Sequence, residues 1–317
     1  MSFRSRFDRY QQQHGWLGFP LAVRQKYSDD QGGYLAATIT YYGFFSIFPL
    51  LLVFVSILGF TLGSHSHLRR RIVGSALGQF PILGHDLVVH SLHGSIVALT
   101  LGLVAAVWSG IGVFLAGENA MNHLWGVPFR RRPDFLRARV RALGLLLVFG
   151  VGVALSTALA GLGTIGASYG IAWKLGAVAL SVLFNVTLFW TAFRLMTVRD
   201  VEWRQLRGGA IAAAVAYELL QLGGGYYVGH VLKHASNAYG TFGVVIGLLS
   251  WIYLSAHITL LAAEGNVVAS RRLWPRSFSV VIEQPTTFAD ERALTQRGKV
   301  EERRSDENVD VTFGPRP

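Results

Sequence analysis

The sequence predicts an all-α, polytopic membrane protein with six transmembrane helices and both termini in the cytoplasm. Three observations lead to this fold class. The first is composition: the 317 residues are 51% hydrophobic and 15% charged, and the mean hydropathy of +0.39 is high for a soluble domain. The second is a set of charge-free runs, each long enough for a span of about 20 apolar residues. These runs lie between Asp30 and Arg69, Asp86 and Glu118, Arg141 and Lys174, and Lys233 and Glu264.

The third observation is the distribution of basic residues along the chain. Lysine and arginine are enriched in the cytoplasmic loops of membrane proteins, so alternate segments can be assigned to the inside. The predicted inside segments hold Arg4, Arg6, Arg9, Arg24, Lys26, Arg130, Arg131, Arg132, Arg137, Arg139, Arg141, Arg194, Arg199, Arg204, Arg207, Arg271, Arg272 and Arg276. The predicted outside segments hold fewer: Arg69, Arg70, Arg71 and Lys233, with Lys174 at a boundary. This bias accounts for the formal charge of +11, and we therefore predict no nucleic-acid partner.

The chain divides into three predicted parts. Residues 1–33 are expected to form an amphipathic segment on the cytoplasmic surface. Residues 34–272 form the six-helix transmembrane domain, with a helical connection on the outer side at about 63–94. Residues 273–317 are polar, charged and punctuated by proline and glycine, which predicts a disordered cytoplasmic tail.

A polar stripe marks the last predicted span. Ser250, Tyr253, His257 and Glu264 recur at helical spacing and therefore share one face. An ionisable group facing lipid costs roughly 2.5–3.5 kcal/mol, so this face is predicted to line the bundle interior or a wet cavity. Glu264 lies near the cytoplasmic end, where we expect a hydrogen bond to Asn266 or to a loop arginine.

Two other spans contribute candidate residues. Glu218 lies near the middle of the fifth span and is either a carboxylate that contacts protons or substrate, or a neutral, hydrogen-bonded acid in the core. In the first span, hydroxyl groups and a predicted proline kink share a face, which either lines a path or fills the bundle with hydroxyls bonded back to their own helix. The candidate cavity-lining residues are Tyr41, Tyr42, Ser46, Pro49, Glu218, Gln221, Tyr253, His257 and Glu264.

Two clusters of cationic or metal-binding residue types remain. The arginine-rich loop is predicted to contact anionic lipid headgroups or a protein partner through Arg130, Arg131, Arg132, Arg137 and Arg139, in preference to RNA. The histidines of the outer connection match no strong zinc signature, and the chain has no cysteine, so we predict no metal and no cofactor. They are His65, His67, His85, His90 and His93.

Three stretches of the chain resemble a known family. They are AATITYYGFFSIFPLL in the first span, NHLWGVPFRRRPDFLRARVRAL around the arginine-rich loop, and YGTFGVVIGLLSWIYLSAHITLLAAEGN in the last span. Occurring together in this order over about 30–270, they resemble the YihY/virulence factor BrkB family of bacterial inner-membrane proteins, once labelled ribonuclease BN. The resemblance implies six transmembrane helices and little chemistry, although some members have been linked to export of lipidic envelope components and to serum resistance. The chain departs from the family pattern at Ala262–Ala263–Glu264, where Gly-Ala-Glu is usual, and at Glu218, whose role is not carried over.

These observations favour a protein without enzymatic activity. Cytoplasmic loops poor in His and Asp do not supply the ligands of a metal-dependent ribonuclease, and no phosphate-binding GxxxxGK[ST] loop is present. We expect a multi-pass protein of the bacterial inner membrane that moves a lipid or other amphiphile, as a transporter or flippase does, with membrane lipids as its partners. The alternative is a non-catalytic scaffold that binds protein partners in the envelope. The oligomeric state is not predicted.

Overall fold

The computed structural model of the chain describes residues 8, 10–61, 96–165, 170–197, 201–226, 241–277 and 286–314. Across these ranges the secondary structure is helical, without a strand. The helices are α1 (Gly15–Asp29), α2 (Gly32–Thr61), α3 (Ile96–Leu124), α4 (Phe135–Ile165), α5 (Ile171–Met196), α6 (Trp203–Tyr226), α7 (Thr241–Arg271) and α8 (Phe288–Lys299). A 3₁₀ turn at Phe129–Arg131 lies between α3 and α4. The predicted outer connection at 63–94 lies outside the described residues.

Three described helical segments are long and apolar enough to cross a membrane. They are Leu99–Leu124 in α3, Ala179–Met196 in α5 and Val245–Arg271 in α7. Large apolar side chains on these helices point away from the protein, and Trp108 and Leu183 are 78% and 63% exposed. Lipid would cover such surfaces, which soluble proteins rarely expose in contiguous patches. The all-helical membrane class predicted from the sequence is therefore confirmed over the described residues.

The chain forms two compact units. The first contains residues 1–36, 117–220 and 255–317, and the second contains residues 37–116 and 221–254. In the first unit α4 packs against α5, as the short connection between the two helices predicts. α6 packs closely on α7 at Gly209. A Cβ atom at this position would lie only 2.2 Å from the carbonyl oxygen of Ala262, so the close approach requires glycine. Small residues that follow Gly209 in α6, namely Ala210, Ala213 and Ala214, are also buried.

The second unit holds most of α2, the first part of α3 and the first part of α7. Its helices also approach closely at glycine: a Cβ atom at Gly112 of α3 would lie 2.6 Å from Cδ1 of Tyr42 in α2. α2 runs without interruption through Pro49. Ser46 donates a hydrogen bond to the carbonyl of Gly43 at 2.7 Å, which satisfies the hydroxyl within its own helix.

One helix begins earlier than the sequence predicts. Arg137 and Arg139 are predicted to lie in a loop, whereas α4 starts at Phe135. Arg137, Arg139 and Arg141 therefore lie on the first turns of a helix instead of in a loop. The hydropathy argument misplaces this boundary because it assigns charged residues to loops, although an arginine at a helix end can reach water while its stem covers apolar surface.

The N-terminal segment contains a helix, as the amphipathic prediction requires. α1 buries Ala22, Lys26 and Tyr27, which are 1%, 4% and 8% exposed, while Trp16 is 72% exposed. A buried lysine is unusual, because a charged group loses its hydration unless a partner compensates. α1 is thus more than a surface segment, since one of its faces belongs to the core of the first unit.

The C-terminal tail differs from the disorder predicted for 273–317. α8 begins with a capping box, in which Asp290 N donates to Oγ1 of Thr287 (3.1 Å) and Thr287 N donates to Oδ2 of Asp290 (3.0 Å). The segment after α8 is held to the 3₁₀ turn, where Phe129 N donates to the carbonyl of Val300 (3.2 Å) and Arg130 N to that of Glu302 (3.1 Å). The disorder was predicted from the number of charged residues in this segment. The helix cap and the backbone hydrogen bonds depend instead on the order of the residues.

Candidate functional site

A buried cluster of charged side chains lies where α1 meets the C-terminal half of α7. We call Lys26, Asp30 and Glu264 the Lys26 cluster. The ammonium of Lys26 donates hydrogen bonds to Asp30 and, at 2.9 Å, to the carbonyl of Leu124, and it lies 3.2 Å from Oε2 of Glu264. Leu124 ends α3, and the last carbonyls of a helix lack partners within it. Lys26 therefore joins three parts of the chain and also caps α3.

Glu264 has few partners for a group so deeply buried. It is 0% exposed, and neither of its carboxylate oxygens accepts a hydrogen bond. The distance of 3.2 Å to the Lys26 ammonium is short enough for an ion pair, but the angles are unsuitable for a hydrogen bond. Asp30, which is 6% exposed, contacts the same Lys26 ammonium as Glu264. The cluster therefore contains two carboxyl groups and one ammonium group, almost entirely away from solvent.

Lys26 retains its charge in this environment. Burial alone would lower the pKa of its ammonium, because desolvation penalises the charged form. The nearby carboxyl groups of Glu264 and Asp30 outweigh that effect and raise the pKa above its usual value. The ammonium is therefore a permanent positive charge at neutral pH.

The next residue of α1 makes a second connection to α7. The hydroxyl of Tyr27 lies 2.7 Å from Nδ1 of His257, and the two rings meet edge to face with centroids 4.7 Å apart. His257 precedes Glu264 by seven residues, so both lie on the same face of α7. The sequence predicts this shared face correctly, but it gives no indication that α1 covers it.

The expected partners of Glu264 are wrong. Asn266 uses its side chain on α6: Nδ2 donates to the carbonyl of Leu206 (3.0 Å), and Oδ1 accepts from Gly209 N (2.6 Å). No loop arginine contacts Glu264 among the described residues, and its cationic partner is Lys26. Asn266 instead stabilises the close approach of α6 to α7.

Glu218 is hydrogen-bonded by a neighbouring helix. Its Oε1 accepts from Oγ of Ser181 (3.1 Å) and from Nδ2 of Asn185 (2.7 Å), both on α5. Both donors are neutral side chains, and the choice between the two interpretations of Glu218 stays a prediction. The side chain of Gln221 lies outside the described residues.

The remaining cavity candidates belong to the second unit, namely Tyr41, Tyr42, Ser46, Pro49 and Tyr253, whereas Glu218, His257 and Glu264 belong to the first. Tyr41 and Tyr42 are 58% and 39% exposed, and their rings meet edge to face. A single cavity lined by all of these residues stays a prediction.

The arginines of the predicted loop fall into two classes. Arg130 forms a salt bridge with Glu302 (2.7 Å), and Arg132 donates to Oδ1 of Asn119 (2.8 Å). These two guanidinium groups are bound within the protein. The side chain of Arg137 is 82% exposed and forms a 3.7 Å ion pair with Asp134. Arg139 packs its guanidinium over the ring of Phe135, 3.4 Å from the centroid.

An apolar groove runs along the first turns of α4. We call it the α4 groove, and its volume is about 590 Å³. Arg137 and Arg141 are its charged lining residues, and the guanidinium of Arg141 is fixed by Oε1 of Glu118 (3.1 Å) and the carbonyl of Leu195 (2.6 Å). A Cβ atom at Gly144 would meet nothing within 4 Å, so the groove is open at this residue. The lining residues are Leu136, Arg137, Val140, Arg141, Gly144, Leu145, Val148 and Leu195.

A family model described as Virulence factor BrkB matches residues 23–277. The chain belongs to the Virulence factor BrkB family. The matched range includes the Lys26 cluster and the α4 groove, and it confirms the resemblance carried by the three sequence stretches.

Curated relatives support this membership. A UPF0761 membrane protein of Methylibium petroleiphilum is 27% identical over 86% of this chain and 66% of its own length. The inner membrane protein YhjD of Escherichia coli is 27% identical over 81% of this chain and 82% of its own length. A UPF0761 membrane protein of Ralstonia nicotianae is 29% identical, and the chain covers 59% of its length. The chain thus spans less than two thirds of the length of some relatives. No solved structure matches the chain.

Sequence reasoning missed two features of this family member. The groove has a readable signal, because residues 137, 140, 141, 144, 145 and 148 have the spacing of one helical face. It was missed because the arginines were assigned to a loop. The partnership of Lys26 with Glu264 has no comparable signal, since periodicity does not report contacts between distant segments. Among the described residues, no group of three or more His, Asp or Glu side chains could hold a metal ion, and the outer histidines lie outside those residues.

Proposed function

We propose that this family member is a multi-pass protein of the bacterial inner membrane with six spans and both termini in the cytoplasm. Three described segments already have the required length and apolarity. The charge-free runs and the distribution of arginine and lysine support the remaining spans and the orientation. The name of the Escherichia coli relative supports the inner membrane as the location.

Within that membrane, we propose that the protein binds an anionic phospholipid in the α4 groove and moves it between leaflets. The observation that carries this proposal is the composition of the groove wall, which is apolar except for Arg137 and Arg141. An arginine at the end of an apolar groove offers bidentate hydrogen bonds to a phosphate, and the apolar wall suits an acyl chain. Arg137 is the available donor, because Arg141 is already bound by Glu118 and Leu195.

The length of the groove suits this ligand. From Arg137 to Val148 the helix rises about 16 Å at about 1.5 Å per residue. One leaflet contributes about half of the roughly 30 Å hydrocarbon core of a bilayer. A phospholipid whose phosphate contacts Arg137 could therefore extend its acyl chain along Val140, Gly144 and Val148.

The proposal is tested by filling the groove. Gly144→Leu adds an apolar side chain into open space, so it should fit without distorting α4 while occupying the lipid position. Gly150→Leu is the matched control, because a Cβ at Gly150 also meets nothing within 4 Å and this residue does not line the groove. Native mass spectrometry of the full chain with phosphatidylglycerol should show bound lipid in the wild type and the control, and little in Gly144→Leu. Equal binding by all three proteins would contradict the proposal.

The alternative function is a scaffold, and one observation favours it. The segment after α8 is bound to the 3₁₀ turn through Val300 and Glu302, which creates a composite surface on the predicted cytoplasmic side. A scaffold needs neither lipid movement nor a filled groove. If lipid binding is lost in Gly144→Leu while a cellular function persists unchanged, the scaffold is favoured. In both cases we propose a protein without enzymatic activity.

The topology has an independent test, because the chain contains no cysteine and single-cysteine variants therefore give an unambiguous signal. A membrane-impermeant maleimide should label Ser168→Cys in intact spheroplasts, since residue 168 follows α4 and precedes α5, the proposed third and fourth spans. Ser305→Cys should be labelled only after lysis. The reverse pattern would invert the proposed orientation, and labelling of both residues in intact spheroplasts would exclude the six-span arrangement.

A further inference from the structure

The charges of the Lys26 cluster do not balance if every group is ionised. Lys26 contributes one positive charge, and Asp30 and Glu264 would contribute two negative charges. All three are buried, at 4%, 6% and 0% exposure. A net negative charge removed from water is strongly unfavourable unless a further positive charge or a bound proton compensates it.

The hydrogen-bond donors of the cluster are also too few for its acceptor oxygens. An ammonium group has three N–H donors, and those of Lys26 face Asp30, the carbonyl of Leu124 and Glu264. Glu264 nevertheless accepts no hydrogen bond of good geometry at either oxygen. Its carboxyl group and that of Asp30 contact the same ammonium, and two ionised carboxylates so close together repel each other.

We propose that the Lys26 cluster is a proton-binding site in which Asp30 and Glu264 share one proton at neutral pH. One carboxyl group then donates to the other, which gives Glu264 a hydrogen-bond partner and brings the net charge of the cluster to zero. The shared proton holds α1 on the cytoplasmic end of α7, because its loss leaves an uncompensated buried charge between the two helices. This site is separate from the α4 groove, and neither proposal requires the other.

The groups around the cluster are few. α1 contributes Lys26 and, through its bond to His257, Tyr27. α3 contributes His123, which interacts electrostatically with Asp30 and Lys26 and also with Arg132 and Arg297. α7 contributes His257 and Glu264. Among the described residues, Lys26 and Asp30 act most strongly on Glu264, so the proton is assigned to the two carboxyl groups.

Infrared spectroscopy of the full chain in lipid nanodiscs tests the proposal. A protonated carboxylic acid has a carbonyl stretching band that is separate from those of carboxylates and shifts in deuterated buffer. We expect such a band at neutral pH in the wild type, reduced in Glu264→Gln and retained in the exposed control Glu202→Gln. An unchanged band in Glu264→Gln would overturn the proposal.

The stability of α1 docking gives a second readout. A proton taken up on docking means that the docked state loses stability as pH rises, because the undocked state releases that proton. The protection factors of residues 15–29 in hydrogen–deuterium exchange, which correct for the base-catalysed intrinsic rate, should therefore decrease at alkaline pH in the wild type. Glu264→Gln should remove this loss of protection, since Lys26 and Asp30 alone are neutral as a pair.

A second variant keeps the test informative if Glu264→Gln does not fold. Asp30→Asn also leaves one ammonium and one carboxylate, here Lys26 with Glu264. It should therefore behave as Glu264→Gln does. If both single variants fail to fold, charge balance is not what stabilises the cluster and the proposal is wrong. A wild type without the acid band, whose melting temperature rises when sodium replaces potassium, would indicate a bound metal cation in place of the proton and would also overturn it.

Discussion

The Lys26 cluster and the α4 groove hold cationic side chains in opposite environments within the first unit. Lys26 is 4% exposed, and every donor of its ammonium faces an acceptor. The side chain of Arg137 is 82% exposed and has one distant carboxylate, at 3.7 Å. The cluster is closed to solvent, whereas the groove is open and the guanidinium of Arg137 can reach a ligand. We therefore expect variants of the cluster to change stability and variants of the groove to change binding.

The largest loss of stability is expected for Lys26→Met. Removing one partner of a buried ion pair typically costs about 3–5 kcal/mol, because the remaining charge stays desolvated and uncompensated. Thermal unfolding of the purified protein should show a large decrease in melting temperature. Arg24→Met is the matched control, since Arg24 is exposed on the same helix and its loss should have little effect. Equal melting temperatures for the two variants would mean that the cluster is not a centre of stability.

A smaller and more local loss is expected for Asp290→Asn in the C-terminal segment. Asp290 accepts hydrogen bonds from Nε of Arg276 (2.9 Å), from Ser277 N (3.0 Å) and from the hydroxyl of Thr287 (2.8 Å). Hydrogen bonds to charged groups contribute about 1.5–3 kcal/mol. Hydrogen–deuterium exchange should therefore rise in residues 286–300, while residues 15–29 stay protected.

The same carboxylate predicts the acid sensitivity of the segment. Burial alone would raise the pKa of Asp290, but the hydrogen bonds from Arg276, Ser277 and Thr287 hold it below its usual value. A group whose pKa is lower in the folded state stabilises that state above the unfolded pKa, about 3.9 for aspartate, and loses the contribution as pH falls through the folded value. The protection factors of residues 286–300, corrected for the intrinsic exchange rate at each pH, should fall as the pH drops below about 4 in the wild type. The pH dependence should be flatter in Asp290→Asn, and an equally steep fall would assign the effect to another group.

Tyr27→Phe should have the smallest measurable effect within the closed region. It removes the hydrogen bond to His257 but keeps the ring contact, and a neutral hydrogen bond contributes about 0.5–1.5 kcal/mol. The melting temperature should fall slightly, and less than in Lys26→Met. A decrease as large as that of Lys26→Met would mean that the ring pair, and not the ion cluster, fixes α1 to α7.

Arg137→Gln should leave stability unchanged and weaken the preference for anionic lipid. A salt bridge between exposed partners contributes little, so its loss should not shift the melting temperature. Binding of phosphatidylglycerol should fall roughly tenfold relative to phosphatidylcholine, the amount expected when one charged hydrogen bond is lost. Arg139→Gln is the control, because Arg139 packs on Phe135 and does not line the groove. If Arg139→Gln weakens binding as much as Arg137→Gln does, general surface charge explains the preference.

The sequence predicts the parts of this molecule that depend on local order. Hydropathy predicts the helical membrane class, and helical spacing predicts that His257 and Glu264 share a face of α7. The position of Lys26 opposite Glu264 could not be predicted, because 238 positions separate them in the sequence and nothing in either segment encodes the pairing. The N-terminal segment was assigned to the surface on composition, and composition does not distinguish a lysine in solvent from a lysine between two carboxyl groups.

Two further differences have the same physical origin. The T-x-x-D sequence at Thr287 encodes a helix cap, but the surrounding charge density indicates disorder, so a global property obscured a local one. The periodic face of α4 extends into the arginine-rich stretch, where the assumption that charge means loop concealed it. In both cases the sequence contains a helix pattern, a cap or a periodic face. The high charge of each segment argued against a helix, so the pattern was not used.

Lipid movement in proteoliposomes tests the proposed function most directly. Fluorescent phosphatidylglycerol in the inner leaflet is protected from a membrane-impermeant quencher until it crosses the bilayer. We predict faster crossing with wild-type protein and with Gly150→Leu than in protein-free vesicles, and no acceleration with Gly144→Leu. Equal rates for Gly144→Leu and wild type, or a wild-type rate no faster than that of protein-free vesicles, would contradict the account.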